Sequence, residues 1–146
     1  PALPSLTRAV LDRLATAPRG LVLMVEGSQI DWAGHANDLP ALLDRMREFD
    51  ATVAVALAFA RERGDTLVVV TADHETGGLA VTGGAPPAVA PAPAAWSTHS
   101  HTAQDVPLYA EGPGAARFTG SVDNAEVGRR LAGALGLEVG DVIRDP

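Results

Sequence analysis

Two short apolar runs separated by a long amphipathic stretch constrain this chain more than any other feature. Leu21–Val25 (LVLMV) and Leu67–Val70 (LVVV) are continuous apolar segments, the pattern of strands covered on both faces. Between them the spacing predicts a helix that starts near Asn37-Asp38, with Pro40 in its first turn. Leu42, Met46, Phe49, Val53, Leu57 and Ala60 keep a 3.6-residue stripe, and Gly64 is a natural stop. Strand, helix, strand in that order is a βαβ unit with a right-handed crossover. The expected fold class is therefore α/β, a mostly parallel sheet flanked by helices.

The flanking segments fit the same plan. Ser5 is a candidate N-cap for a first helix carrying Leu6, Val10, Leu11 and Leu14, which Pro18-Arg19-Gly20 ends. Val106–Ala110 reads as a third strand, with Pro107 favouring a strand start or an edge. Asp123 with Glu126 resembles a capping box ahead of a helix bearing Val127, Leu131 and Leu135. Residues 84–95 are rich in Pro and Ala without periodicity and read as a surface loop within a single domain, 1–146.

Composition narrows the chemistry. The net charge of −7 argues against non-specific nucleic-acid binding, which needs a basic surface. No apolar run approaches the roughly 18 residues of a membrane span. There is no cysteine, so any metal must be held by His, Asp and Glu. Pro1-Ala-Leu-Pro-Ser5 is neither an initiator methionine nor a signal peptide, and the expectation is a chain that begins within something longer.

Three polar clusters sit where strands end or begin. In open α/β sheets, that is where ligands bind. Glu26 follows the first apolar run, and Asp31 and His35 stand four residues apart, on one side of a helical turn. Two readings of that pair coexist: a grip on one ion, or an acidic turn entering a helix. Asp73-His74-Glu75 follows the second run, with Gly77-Gly78 suited to a tight bend or a close backbone approach. A plain Asp-His hydrogen bond is the alternative there. His99 and His101 would face the same way in an extended segment, and spacing alone assigns neither. Oxygen and imidazole donors without sulfur suit Zn²⁺, with Mg²⁺ at a carboxylate-rich position. Two close metals are a known device for phosphoryl transfer.

Val25–His35 (VEGSQIDWAGH), Val70–Gly78 (VTADHETGG) and His101–Pro113 (HTAQDVPLYAEGP) resemble three successive blocks of the bacterial alkaline phosphatases, in order and rough spacing. The resemblance implies part of that family's three-layer sandwich, two Zn²⁺ ions and one Mg²⁺. It implies Asp31, His35 and His101 as ligands of the first zinc, Asp73 and His74 of the second, and Glu26 of the magnesium. Trp32 falls near the third metal, where residue identity varies in the family. The family hydrolyses phosphate monoesters through a serine that becomes phosphorylated, with an arginine clamping the phosphate. No Asp-Ser pair followed by small residues occurs in the chain, and Arg19, Arg61 and Arg63 match no clamp position. The expectation is thus a C-terminal metal-binding portion that needs the N-terminal half of such a protein, or another chain, and that could pair as a homodimer. An inert zinc-binding fragment and a related phosphodiesterase are the alternatives. Family habit implies a periplasmic or secreted location.

Overall fold

The computed structural model describes residues 1–83 and 93–137. Its elements follow in the order α1 (Leu3–Leu14), α2 (Gln29–Ala36), α3 (Leu39–Arg63), β1 (Val68–Val70), β2 (Glu75–Thr76), β3 (Ala80–Val81), β4 (Ala94–Ala95), β5 (His101–Thr102), β6 (Tyr109–Glu111) and α4 (Asn124–Ala134). A 3₁₀ turn, Ala115–Phe118, lies between β6 and α4.

The long helix α3 is the spine. Asp38 caps it by accepting from the Ala41 N–H at 3.0 Å, Pro40 sits in its first turn, and Gly64 ends it in the left-handed region at φ 72°. Both α1 and α2 pack against it, and its far end touches β1. The buried hydrophobic residues are Leu11 of α1, Ala33 of α2, Phe59 and Ala60 of α3, and Phe118 of the 3₁₀ turn. The predicted α3 stripe is right in period but shifted in part. Met46 is 46% exposed, while Thr52 and Phe59 are buried. Thr52 is tolerated inside because its hydroxyl donates to the Glu48 carbonyl at 2.8 Å.

Strand pairing departs from the sequence expectation. Among the described residues every ladder is antiparallel: β1 with β6, β2 with β5, and β3 with β4. Leu21–Val25 joins no ladder, so the βαβ unit with its right-handed crossover is not formed by these residues. The segment alternates, with Leu21, Leu23 and Val25 half-buried and Val22 and Met24 72% and 86% exposed. One face is half-buried and the other is open, so an apolar run expected to be covered on both sides is one-sided here.

Other boundaries move by a few residues. The third strand starts at Tyr109, because Pro107 has no N–H for a ladder and its carbonyl instead accepts from the Thr71 hydroxyl at 3.2 Å. The first helix begins at Leu3 with Pro4 in its first turn, upstream of the Ser5 cap expected, and Leu6 is 47% exposed. At α4, Asp123 does cap, accepting from the Ala125 N–H at 2.8 Å. Glu126 does not reach back to complete a box, because Arg130 holds its carboxylate at 3.0 Å. Leu131 and Leu135 on that helix are exposed. Of the Pro/Ala-rich segment, residues 84–92 lie outside the described set, and Ala94-Ala95 form β4.

Candidate metal centre

Three elements deliver the polar residues to one place. Helix α2 carries Asp31 and His35 one turn apart, and it can lie close to β2 because Gly34 faces Thr76, where a Cβ would stand only 3.1 Å from that side chain. His74 immediately precedes β2, and His101 opens β5, the partner of β2, with Thr76 opposite His101. At Gly77 the chain turns at φ 95°, and a Cβ there would be 2.5 Å from the Trp96 ring. The Gly77 carbonyl accepts from the Ser97 and Thr98 N–H groups, which brings the His99–His101 segment back over α2.

The resulting cluster centres on Asp31. Its Oδ1 lies 3.4 Å from His35 Nε2 and 3.5 Å from His101 Nε2, and the two nitrogens are 3.1 Å apart. The His74 ring stacks on His101 with centroids 3.5 Å apart, and ligand atoms of Asp31, His74 and His101 all fall within 4.8 Å of one another. Asp31 is held in place by a neighbouring hydroxyl. The Thr76 hydroxyl donates to Oδ1 at 2.6 Å and keeps the carboxyl below its ordinary pKa. Partial burial opposes that shift, and the imidazoles of His35, His101 and His74 reinforce it.

The six expected ligands therefore separate. Asp31, His35, His74 and His101 come together as one cluster. Asp73 touches it only through His74, at 3.2 Å, and its side chain is 80% exposed. Glu26 is exposed and faces a different cleft, lined by Leu3, Leu6, Ile30, Arg45 and Phe49. Trp32 is 68% exposed beside Asp31 and His35 at the open mouth of the site.

Two residues that hold the cluster were given no role of their own from sequence. Thr76 is one. The other is Glu75, whose carboxylate accepts from the N–H groups of Gly78 and Leu79 and from the Thr102 hydroxyl, tying β2 to β5. Strand alternation was the available signal: His74 and Thr76 point to one face and Glu75 to the other.

The donor set fits a metal ion. Three imidazoles and a carboxylate converge with no Lys or Arg among the charge partners of Asp31. His35 Nδ1 is 2.6 Å from the His99 carbonyl oxygen, which can only accept, so Nδ1 is the donor there and Nε2 is the nitrogen turned toward the cluster.

The alkaline phosphatase family model matches residues 1–95 and 89–137. The chain belongs to the alkaline phosphatase family. It is 29% identical to alkaline phosphatase 3 of Bacillus subtilis over 92% of its own length and 44% of that protein's. Streptomycin-6-phosphate phosphatase of Streptomyces griseus is 36% identical, over 94% of this chain and 36% of its own. Among solved structures, the alkaline phosphatase of the Antarctic bacterium TAB5 superposes with a TM-score of 0.85 at 34% identity, covering 93% of this chain and 41% of that one. A variant of the TAB5 enzyme holds Mg in its M3 site. The α/β fold is thus that of the alkaline phosphatases, and the chain spans less than half the length of these relatives. The two matched pieces of the family model meet within the Pro/Ala-rich segment.

Proposed function

We propose that this chain supplies the histidine-rich metal centre of a metal-dependent phosphate monoester hydrolase. The observation that carries it is the convergence of Asp31 Oδ1, His35 Nε2 and His101 Nε2 at mutual separations of 3.1–3.5 Å, with His74 stacked against His101. Asp31, His35 and His101 would hold one zinc, and His74 with Asp73 would contribute to a second. Glu26 would supply one ligand to magnesium, with the rest of that set drawn from outside these residues. When bound, such ions stabilise charge on phosphate oxygens and lower the pKa of a coordinated nucleophile.

The chain's own residues do the positioning. Thr76 fixes Asp31 as a carboxylate, Glu75 sets the register of β2 on β5, and the His99 carbonyl orients His35. The serine nucleophile and the arginine clamp would come from the remainder of the family fold, in the same polypeptide or in another chain. An inert zinc-binding role is the second reading, favoured by the lack of an Asp-Ser nucleophile pair in this sequence.

One experiment separates the two. Hydrolysis of a generic phosphate monoester is measured with Zn²⁺ and Mg²⁺, with and without the N-terminal half of a family member. Turnover only in the combined sample, abolished by His101→Ala, is expected. Failure of the wild-type chain to bind zinc at neutral pH would exclude both readings. Turnover absent even when both halves are present would leave the inert role standing.

A further inference from the structure

Of the four histidines in the chain, His99 alone has no part in the ligand set. It is nevertheless bonded to a ligand in both directions. His35 Nδ1 lies 2.6 Å from the His99 carbonyl oxygen, and His99 Nδ1 lies 2.9 Å from the His35 carbonyl oxygen. Carbonyls only accept, so both rings must be protonated at Nδ1. The His35 carbonyl belongs to the last turn of α2, whose final carbonyls have no partner within the helix, and the His99 ring satisfies it. Asn37 adds a third tie. In its better-bonded orientation its side-chain amide donates to the Gly34 carbonyl at 2.9 Å and the Thr98 carbonyl at 3.0 Å. The His35 carbonyl thus finds a donor on the loop, and the Thr98 and His99 carbonyls find donors at the helix end.

We propose that His99 is a positioning residue for the metal centre. Its imidazole latches the 98–100 loop to the end of α2, and the latch places its own carbonyl to hold His35 as the Nδ1–H tautomer. The Nε2 lone pair of His35 is then fixed toward Asp31 and His101, at 3.4 and 3.1 Å. Without the ring contact the loop carbonyl is free to withdraw, and His35 can rotate or exchange tautomers before any ion arrives. The cost would be felt as metal affinity, in the range that partners of ligating histidines generally command. This inference rests on the proposed metal-binding role of His35.

The test has two independent readouts. In the ¹⁵N-labelled, metal-free chain at about pH 8, where ordinary imidazoles are neutral, long-range ¹H–¹⁵N spectra should show His35 protonated at Nδ1. A wild-type His35 protonated at Nε2 overturns the proposal, whatever any variant does. Zinc is then titrated into the wild type, H99A and H99N. Asparagine can present an amide N–H where histidine presents Nδ1–H, so H99N should keep both the tautomer and the affinity. H99A should lose the single tautomer and bind zinc roughly 10–100-fold more weakly. Equal affinity in H99A and wild type, or a loss in H99N as large as that in H99A, overturns the latch. If H99A does not fold by circular dichroism, the wild-type spectrum and H99N decide. A wild-type chain that binds no zinc sinks the metal reading instead, and the tautomer spectrum still judges the latch.

Discussion

The histidine cluster around Asp31 and the apolar segment Leu21–Val25 are built by opposite means. Around Asp31, side chains and loop carbonyls are paired: Thr76 to Asp31, Glu75 to Thr102, the His99 carbonyl to His35. At Leu21–Val25, Val22 and Met24 stand in the open and no ladder is formed. A polar site can be organised by short local segments, because each hydrogen bond needs only one partner in the right place. A sheet needs a neighbouring strand along its whole length, and the described residues provide none for Leu21–Val25. The difference explains how a structure with few deeply buried side chains among the described residues still holds an ordered polar cluster.

The largest expected effect tests whether the two regions are independent. Phe59 is 5% exposed on α3, remote in sequence from every ligand. Phe59→Ala should cost about 3–5 kcal/mol in urea unfolding. Zinc affinity measured where the variant is still folded should hardly change. A parallel loss of zinc would show that the cluster leans on the helical core after all.

A smaller effect probes the bend that joins β2 to the His99–His101 loop. Gly77→Ala puts a Cβ into the Trp96 ring at a φ of 95°, and about 1–3 kcal/mol of strain is expected. Here stability and zinc binding should fall together, since the same turn carries the loop over α2. Lost stability with unchanged metal affinity would detach the loop from the site.

The smallest effect is a pH dependence. The Thr102 hydroxyl holds the Glu75 carboxyl below its ordinary pKa, against partial burial, with help from the Gly78 and Leu79 N–H groups. The unfolded chain therefore takes up this proton at higher pH than the folded one. The stabilisation is whole above the usual Glu range of about 4.3 and is lost as pH falls through the depressed folded value. Glu75→Gln should flatten that acid limb of the stability curve. An unaltered limb would mean that the tie between β2 and β5 does not depend on charge.

Much of the site was legible because its signals are local. Asp31 and His35 share a helical face through i, i+4 spacing, and His74 and His101 sit at the edges of short extended segments. Caps behave the same way: Asp38 and Gly64 bound α3 as their types require. Less legible were effects of contact between distant segments. Thr76 and Glu75 gain roles only when β2 meets α2 and β5, and Glu126 leaves its capping role because Arg130 lies within reach.

The sequence by itself determined which residue types could bind a metal, where the long helix α3 begins and ends, and which family the chain resembles. Those properties depend on neighbours within a few positions along the chain. Only the tertiary structure decided that Asp31, His35, His74 and His101 form one cluster while Asp73 stays at its margin and Glu26 faces elsewhere. Only there do the ladders prove antiparallel and His99 prove tied to His35. Such relations rest on the turn at Gly77 and the packing of α2 on β2, which join residues more than 40 positions apart, and no local pattern encodes a distance of that kind.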